Sequence, residues 1–436
     1  MKFITHLQQK LEAYLPEIIA SYEGEIEAAS LSEMEITIRQ MSHEVGGKVL
    51  RTCLEAQTPK YPEDEVKCPY CGEAGSYAGR REGSSITLLG RIRYRRPYYR
   101  CHTCHQGHYP LDEALGIRPG QMSDEVVQLA ALQGVQNSFA TSRDLLMRTA
   151  LLDLSANSIR KACHLVGNQV TTMEETAQHD SQDLDQQRAH QRLADKPARI
   201  YGSLDGFNVH LDGDWHEMKA GCWWTTQSAP NGDLEAENIT YYVDYLSAAD
   251  FSDQVWATGF ERLADQAHEV IFVADGAEWI WNIVAQHFPN ALQILDWYHA
   301  LSYVQSVAQA AIPDLLERTG WLEQQREHLW HGRRSRVFRA CRQLLDVAVD
   351  TVRKALTFFA NQRSRMHYGR FRTAGYQIGS GTMESGCKQL GVGRLKIAGA
   401  QWRSDRARIL AKARAAYLNG DWDDLNMSQP FLPQAA

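Results

Sequence analysis

Apolar residues recur at helical spacing over the first 60 residues, where Leu11, Leu15 and Ile18 lie among Glu, Gln and Lys. The pattern changes at residues 63–117 to short alternating stretches rich in Cys, Gly, Arg and Tyr, which predict a small β-rich module. Helical spacing returns at residues 123–170. The N-terminal part of the chain is therefore predicted to contain two helical regions on either side of a β-rich module.

Residues 198–295 show the pattern of a mixed sheet. Alternating and continuous apolar runs predict strands at 198–211, 218–226, 239–245, 270–274 and 292–295. The turn Asp212-Gly213-Asp214 follows the first strand, and helices are indicated at 249–266 and between the last two strands. Three antiparallel strands followed by alternating helices and strands predict a sheet covered by helices. Only helical spacing continues from residue 300 to about residue 372.

Composition excludes several classes of protein. The 436 residues are 44% hydrophobic and 23% charged, and no apolar run is long enough to span a bilayer. Residues 1–7 lack the apolar stretch of a signal peptide. The nine cysteines have irregular spacing, which is not typical of a secreted disulfide framework. We therefore expect a cytoplasmic protein with reduced thiols and no membrane partner.

The net charge of −7 conceals strong segregation of charge along the chain. Residues 80–100 contain seven arginines and one acid, residues 331–375 eleven basic residues and two acids, and residues 388–414 eight basic residues and one acid. Segregation of this kind is typical of proteins that bind a polyanion such as DNA. A solvated helix face can also be basic, so charge alone does not decide between the two.

Four cysteines form two closely spaced pairs, Cys68-Pro69-Tyr70-Cys71-Gly72 and Cys101-His102-Thr103-Cys104. Structural Zn²⁺ prefers four tetrahedral thiolates, and each C-x₂-C turn presents two of them. We therefore predict a zinc ribbon with Cys68, Cys71, Cys101 and Cys104 as ligands, and with His105 and His108 as alternative ligands. The other cysteines lack partner spacing and are predicted to be small buried side chains: Cys53, Cys163, Cys222, Cys341 and Cys387.

Between the two cysteine pairs, Arg91-Ile92-Arg93-Tyr94-Arg95 alternates as a strand does and sets its arginines on one face. Two interpretations are open. The ribbon either only folds the N-terminal module, or its arginine face, including Arg93 and Arg95, lies along a phosphate backbone.

Three short helical patterns at 123–134, 141–149 and 155–170 are joined by tight connections, which is typical of a helix-turn-helix motif. Thr141-Ser142-Arg143-Asp144 resembles a capping box, and Ser155 is a candidate N-cap. The predicted inward stripe of the third helix is Ile159, Ala162, Cys163 and Val166. The outward residues predicted to enter the major groove are Asn157, Arg160 and Lys161. The alternative is an ordinary three-helix unit with a solvated face.

Three acids have positions that suit phosphoryl transfer. Asp205 lies in the first strand of the mixed sheet, Asp275 ends the apolar fourth strand, and Glu384 follows the glycine-rich start of a helix predicted to end near Gly420. Two strand aspartates and a helical glutamate can hold two Mg²⁺ ions about 4 Å apart for an in-line displacement. Lys388, one helical turn after Glu384, either steers the scissile strand or forms an intrahelical ion pair.

The sequence resembles the DDE transposases of the ISKra-type bacterial insertion-sequence family, which have a ribonuclease-H-like catalytic core and are distant relatives of the Mutator-like group. The resemblance extends from Lys67 to Trp422. The motifs that carry it are the first cysteine pair, Gly202-Ser203-Leu204-Asp205-Gly206, Ala274-Asp275-Gly276-Ala277, Asp296-Trp297-Tyr298-His299 and Gly379-Ser380-Gly381-Thr382-Met383-Glu384-Ser385. It implies that Asp205, Asp275 and Glu384 are the catalytic triad.

The motifs and the resemblance together predict a multidomain α+β protein with a ribonuclease-H-like mixed α/β catalytic domain. The expected parts are an N-terminal helical region (1–62), the zinc ribbon (63–117), the helix-turn-helix region (118–170), a polar linker (171–197), the first part of the catalytic core (198–299), a helical insertion that contacts the element's ends (300–375), the last helix of the core (376–424) and a tail (425–436).

The expected activity is that of a transposase. It would bind the terminal inverted repeats of an insertion sequence and catalyse strand cleavage and strand transfer with Mg²⁺ or Mn²⁺. The expected partners are double-stranded DNA, both terminal repeats and target, and further copies of the chain in the active assembly, so the protein would be nucleoid-associated. The alternatives are a DNA-binding regulator and a structure-specific nuclease derived from the same fold.

The segment Asp296-Trp297-Tyr298-His299 has two interpretations. The resemblance identifies it with the D-x₂-H signature of Mutator-like enzymes, in which His299 and Asp296 would support the carboxylates. Trp297 or Tyr298 would then be available to stack on an unpaired base. The alternative is that Asp296 caps the following helix, because Asp is a favoured N-cap residue, while Tyr298 and His299 only help to pack it. We expect His299 to act in the chemistry.

Overall fold

The computed structural model describes residues 2–57, 66–117, 121–193, 196–230 and 234–425, and it contains two compact units. The units divide between Val166 and Gly167 and again between Trp422 and Asp423. Helices and two sheets are present, so the α+β multidomain class is confirmed. The predicted end of the first helical region at residue 62 and the tail after residue 425 lie outside the described residues. No helix in the described parts is long and apolar enough to cross a membrane.

The first unit contains the predicted N-terminal helical region, which forms two helices, and the predicted β-rich module. Its elements are α1 (Lys2–Ile26), α2 (Leu31–Gln57), β1 (Val66–Lys67), β2 (Ala74–Thr87), β3 (Gly90–Cys101), β4 (Gly107–His108), α3 (Pro110–Ala114), α4 (Asp124–Gln136), α5 (Phe139–Ala150) and the start of α6 (Ala156–Gln182). The four strands form an antiparallel sheet in chain order, and α2 packs on β3.

Serine side chains cap the three consecutive helices α4, α5 and α6. Ser123 and Ser138 accept hydrogen bonds from the backbone at the start of α4 and α5, and Ser155 accepts one from the Ser158 N–H at 3.0 Å. The predicted capping box at Thr141 is therefore wrong, because α5 begins earlier, after Ser138. The predicted end of the third helix near residue 170 is also wrong, since α6 continues to Gln182 through residues rich in Gln and Glu, which favour helix.

The second unit contains the predicted mixed sheet and helices. After the end of α6, its elements are α7 (Leu184–Gln191), β5 (Arg199–Leu211), β6 (Asp214–Ser228), β7 (Leu234–Asp244), α8 (Ala248–Glu261), β8 (Glu269–Ala274), α9 (Glu278–His287), β9 (Leu292–Leu295), α10 (Trp297–Ala311), α11 (Leu315–Trp330), α12 (Arg334–Gln343), α13 (Val349–Asn361), α14 (Tyr368–Thr373), α15 (Gly381–Cys387) and α16 (Ser404–Asn419). Helices α6 and α7 occupy most of the predicted polar linker at 171–197. The five predicted strands are present.

The five strands form one sheet in the order β7-β6-β5-β8-β9. The pairs β7–β6 and β6–β5 are antiparallel, whereas β5–β8 and β8–β9 are parallel. Strands β5, β6 and β8 pack against α8 and α9 through a core that includes Trp223, Phe251, Phe272 and Trp281. The sheet therefore sets Asp205, in the middle of β5, beside the end of β8, which Asp275 follows, and β8 beside the end of β9, which Asp296 follows.

The predicted single helix from Glu384 to Gly420 is wrong. Helix α15 ends at Cys387, a π-helical segment follows at Lys388–Leu395, and α16 begins only at Ser404. Between them the main chain bonds to the β5–β6 hairpin: the Trp402 N–H donates to His210 O at 3.2 Å, and the Asp212 N–H donates to Trp402 O at 2.8 Å. Gly399, with φ +78°, helps the chain to leave the helical path.

Part of the basic run at residues 388–414 belongs to the interior of the fold, whereas Lys388, Lys396 and Arg403 are exposed. Arg394, Lys412 and Arg414 are buried. Lys412 forms ion pairs with Glu174 and, at 2.8 Å, with Asp244, which also pairs with Arg408. Basic residues in this run therefore neutralise buried carboxylates and contact the interior, so their number does not measure the charge available to DNA. We call Glu174, Asp244, Arg408 and Lys412 the buried charge cluster.

Candidate functional site

The four predicted zinc ligands lie together in the first unit. Their sulfur atoms all lie within 4.8 Å of one another, with Sγ–Sγ distances of 3.6 Å for Cys68–Cys104 and 3.5 Å for Cys71–Cys101. Four thiolates at 2.3 Å from a tetrahedral zinc ion are about 3.8 Å apart, so the spacing fits zinc. The backbone N–H of Cys104 donates to Cys101 and lowers the pKa of that thiol to about 6, which favours the thiolate. The cluster can hold a metal ion such as zinc.

His108 is not part of this cluster. Its ring is buried against Tyr99, with ring centroids 5.8 Å apart, and burial lowers its pKa. The four cysteines alone supply the four ligands of a tetrahedral site, without a histidine. A second buried group in the same unit has no signal in the sequence: Asp112 accepts hydrogen bonds from Tyr94 and Arg96, and burial raises its pKa to about 6.

Strand β3 has the predicted arginine face. Arg91, Arg93 and Arg95 are exposed, whereas Ile92 and Tyr94 between them are buried. Glu82 lies 3.9 Å from Arg93 and is largely exposed, so it neutralises little of this charge. The strand thus presents a row of cations at every second residue.

The third helix of the predicted helix-turn-helix region also has the predicted faces. The inward stripe of Ile159, Ala162, Cys163 and Val166 is fully buried. On the opposite side Asn157 and Lys161 are exposed, and Arg160 donates to Asn157 Oδ1 at 2.6 Å. A polar, cationic surface therefore begins in the first turn of α6.

In the second unit, the parallel pairing of β5 with β8 sets two of the predicted acids level with each other. Gly202 pairs with Phe272, and Asp205 and Asp275 each lie three residues further along. Each carboxylate accepts a nearby backbone N–H: that of Gly206 at 2.7 Å for Asp205, and that of Ala277 at 2.9 Å for Asp275. Burial raises the pKa of Asp205, and the charge of Asp275 raises it further. Two half-buried carboxylates therefore lie close enough for the charge of one to act on the other.

Glu384 lies on α15, which packs against β5 and β6. One turn later, the Cys387 thiol donates to Asp205 Oδ2 at 3.5 Å, and burial beside Asp205 raises the pKa of this thiol. Glu384 therefore shares a helix face with a residue that touches Asp205. Glu384 is exposed, and among the described residues only the four cysteines form a metal-ligand group of three or more. The structure thus brings Glu384 near Asp205 through α15, but Asp205, Asp275 and Glu384 do not form a compact group of metal ligands. Lys388 is exposed at the start of the π-helical segment.

Three further residues near Asp205 were not identified from the sequence. Cys387 was predicted to be an inert buried side chain but contacts Asp205. Glu217 raises the pKa of Asp205, and Lys219 pairs with Glu217 at 3.2 Å. The hairpin register gave no direct signal for the last two, because it pairs Lys219 with Gly206 and Glu217 with Asn208, and it pairs Asp205 with Ala220.

Asp296 ends β9 and both of its carboxylate oxygens accept backbone hydrogen bonds. One oxygen accepts the His299 N–H at 2.5 Å and caps α10, as one interpretation predicted. The other accepts the Ser380 N–H at 2.7 Å, and the Trp297 N–H donates to Ile378 O at 2.9 Å. Asp296 therefore ties the end of β9 to the glycine-rich segment that leads to Glu384.

His299 lies on α10 among aromatic side chains. Its ring centroid is 5.8 Å from that of Tyr303 and 6.0 Å from that of Phe358. Both contacts are with residues of the helical region that follows β9, which is the environment expected for a packing residue. Its predicted role in chemistry stays a prediction.

Comparison with known proteins assigns the chain to a family without a described activity. A search of curated proteins finds no match. The sequence profile of an uncharacterised protein family, UPF0236, matches residues 26–329, which include the four cysteines, Asp205, Asp275 and Asp296 but end before Glu384. Because this match covers 304 of the 436 residues, the protein is a member of the uncharacterised family UPF0236.

Proposed function

We propose that the protein is a DDE-type DNA transposase with a ribonuclease-H-like catalytic core. The observation that carries this proposal is the register of β5 and β8, which sets Asp205 level with Asp275 beside the helix of Glu384. Two acids on adjacent strands and a third on a covering helix are the ligands that a divalent-metal phosphoryl transferase requires.

The donor set fits Mg²⁺ or Mn²⁺. Both prefer carboxylate oxygens, and the charge of Asp275, which raises the pKa of Asp205, is a repulsion that a bound cation would relieve. In this proposal Asp205 and Asp275 bind the cation from the sheet, and Glu384 binds it from α15. When bound, the metal activates water or a 3′-hydroxyl and stabilises the leaving oxygen. Asp296 orients the segment before α15 through its hydrogen bond to Ser380.

Two surfaces of the first unit support DNA as the substrate. The arginine face of β3 offers Arg91, Arg93 and Arg95 to a phosphate backbone, with no need for a particular base sequence. The start of α6 offers Asn157 and Arg160, whose amide and guanidinium groups can read base edges in a major groove. In the proposed transposase the first surface supplies general affinity and the second reads the terminal repeat.

The test uses full-length protein and DNA that carries both borders of the gene. Asp205→Asn, Asp275→Asn and Glu384→Gln should each abolish Mg²⁺-dependent cleavage and strand transfer while leaving DNA binding intact. Double variants should be no worse than single ones, because ligands of one metal site act as a unit. Asp346→Asn, at an exposed acid outside the site, is the matched control and should retain full activity. Wild-type cleavage by any of the three variants would remove that residue from the triad.

The alternatives make different products. A nuclease on the same fold cleaves the border DNA but does not join a supplied 3′-hydroxyl end to a target plasmid. A DNA-binding regulator binds the border DNA and yields neither product. Joined product that depends on all three acids supports the transposase alone.

A further inference from the structure

A cavity of about 750 Å³ opens beside the glycine-rich segment of the second unit. Four aromatic residues line it: Trp297 and Tyr298 from α10, Trp330 from the end of α11, and Tyr376. Among the described residues that line it, Arg372 is the one charged side chain. The cavity is within the range of roughly 300–1,000 Å³ that is typical of sites for small organic groups.

The aromatic residues of the cavity offer flat faces. The Arg372 guanidinium lies over the Trp330 ring, 3.3 Å from its centroid, and Trp330 in turn meets Trp297 edge-on at 5.5 Å. Tyr298 is 65% exposed, which is unusual for so large a side chain. A planar ligand can stack on these exposed faces.

The floor of the cavity is the segment that leads to Glu384. Gly379, Gly381 and Thr382 line the cavity, and Glu384 follows two residues after Thr382. The hydrogen bond from Ser380 to Asp296 and the one from Trp297 to Ile378 fix this floor to β9 and α10. A group held in the cavity is therefore held within a helical turn of the proposed catalytic glutamate.

We propose that this cavity binds an unpaired nucleobase of the DNA strand whose phosphate lies at the carboxylates. This deepens the proposed function, on which the identity of the strand rests. Bases stack on aromatic and guanidinium faces regardless of sequence, and a base must leave the duplex to do so. The Arg372 guanidinium suits the neighbouring phosphates. Tyr298 and Trp330 supply stacking faces.

The test measures binding of the full-length protein to a short single-stranded oligodeoxynucleotide containing 2-aminopurine, without divalent metal so that no cleavage occurs. Tyr298→Ala and Trp330→Ala should each weaken this binding by about 5- to 150-fold, which corresponds to the loss of one stacked base. The wild-type protein should quench 2-aminopurine fluorescence. Affinity for an abasic oligonucleotide of equal length should not change in either variant.

Trp215→Ala is the matched control, because Trp215 is 62% exposed in the same unit but does not line the cavity. It should bind both oligonucleotides as the wild type does. Trp330→Phe keeps a ring and should restore most of the affinity if loss of stacking explains the Trp330→Ala result. Equal losses for the base-containing and abasic strands, or an equal loss in Trp215→Ala, would overturn the proposal.

This outcome is separable from the catalytic proposal. Asp205→Asn should bind and quench 2-aminopurine as the wild type does, although it should not cleave DNA. If Asp205→Asn cleaves normally while Tyr298→Ala loses stacking, the triad is wrong and the base site stands. If Asp205→Asn is inactive while stacking is unaffected by the cavity variants, the base site is wrong and the triad stands.

Discussion

Replacing Lys412 by Met should strongly destabilise the second unit. Lys412 is 3% exposed and lies 2.8 Å from Asp244, which is 2% exposed, and it also pairs with Glu174. At an effective dielectric constant of about 20, the gross attraction at this distance is about 6 kcal/mol. Removal of one partner of a buried ion pair typically costs about 3–5 kcal/mol. We expect about 3 kcal/mol, because Arg408 still neutralises Asp244 and Glu174 can take up a proton.

Urea unfolding followed by tryptophan fluorescence measures this change selectively. All eleven tryptophans lie between Trp215 and Trp422, which is within the second unit. Met retains most of the length of the lysine stem, so lost packing contributes little. Lys354→Met is the matched control: Lys354 is exposed, and its replacement should change the free energy of unfolding by about 0.5 kcal/mol or less.

A double variant separates the charge effect from any residual packing effect. Glu174→Gln added to Lys412→Met should recover part of the lost stability, because it removes a carboxylate that has lost its partner. A cost below about 1 kcal/mol for Lys412→Met would refute the reasoning, since the buried charge cluster would then be hydrated and its pairing weak.

Two further predictions concern metal and pH. Metal analysis of the purified protein should find about one zinc ion per chain. The double variant Cys68→Ser, Cys71→Ser should lose the ion and unfold the ribbon, while the unfolding transition followed by tryptophan fluorescence stays unchanged. Protein that is purified without chelator and contains no zinc would contradict this prediction. Burial raises the pKa of Glu174 from 4.5 to about 7, so between these pH values the folded state holds a proton that the unfolded state has released. The free energy of unfolding, measured relative to that of Glu174→Gln, should therefore fall as the pH rises from 4.5 to about 7. Parallel pH profiles of stability for the two proteins would contradict this prediction.

Much of the fold was predictable because local patterns and turns determine it. Strand β9 begins and ends at the predicted residues, and the Asp212-Gly213 turn sets the register of β5 with β6. The break between α15 and α16 was not predictable from helical spacing. Trp402 exchanges backbone hydrogen bonds with the β5–β6 hairpin, and spacing along one segment contains no information about a partner almost two hundred residues away.

Some features of the candidate site were also predictable from the sequence, and others were not. The proximity of Asp205 and Asp275 follows from two parallel strands, which the sequence pattern indicated. The contact between Cys387 and Asp205 does not follow from the pattern, because it depends on how α15 lies on the sheet. Of the two hydrogen bonds that Asp296 accepts, one was predictable. Its N-cap bond from His299 is a local feature, whereas its bond from the Ser380 N–H joins segments far apart in the chain.

The pairing of β5 with β8 also restricts where the chain can tolerate insertions and deletions. Insertion of one residue between Ile200 and Leu204 would turn Asp205 to the opposite face of the sheet or move it out of line with Asp275. An insertion at Asp212-Gly213 would lengthen a hairpin loop and leave both carboxylates where they are. Family members that keep both acids should therefore share one length from Ile200 to Asp205, while their hairpin loops differ freely.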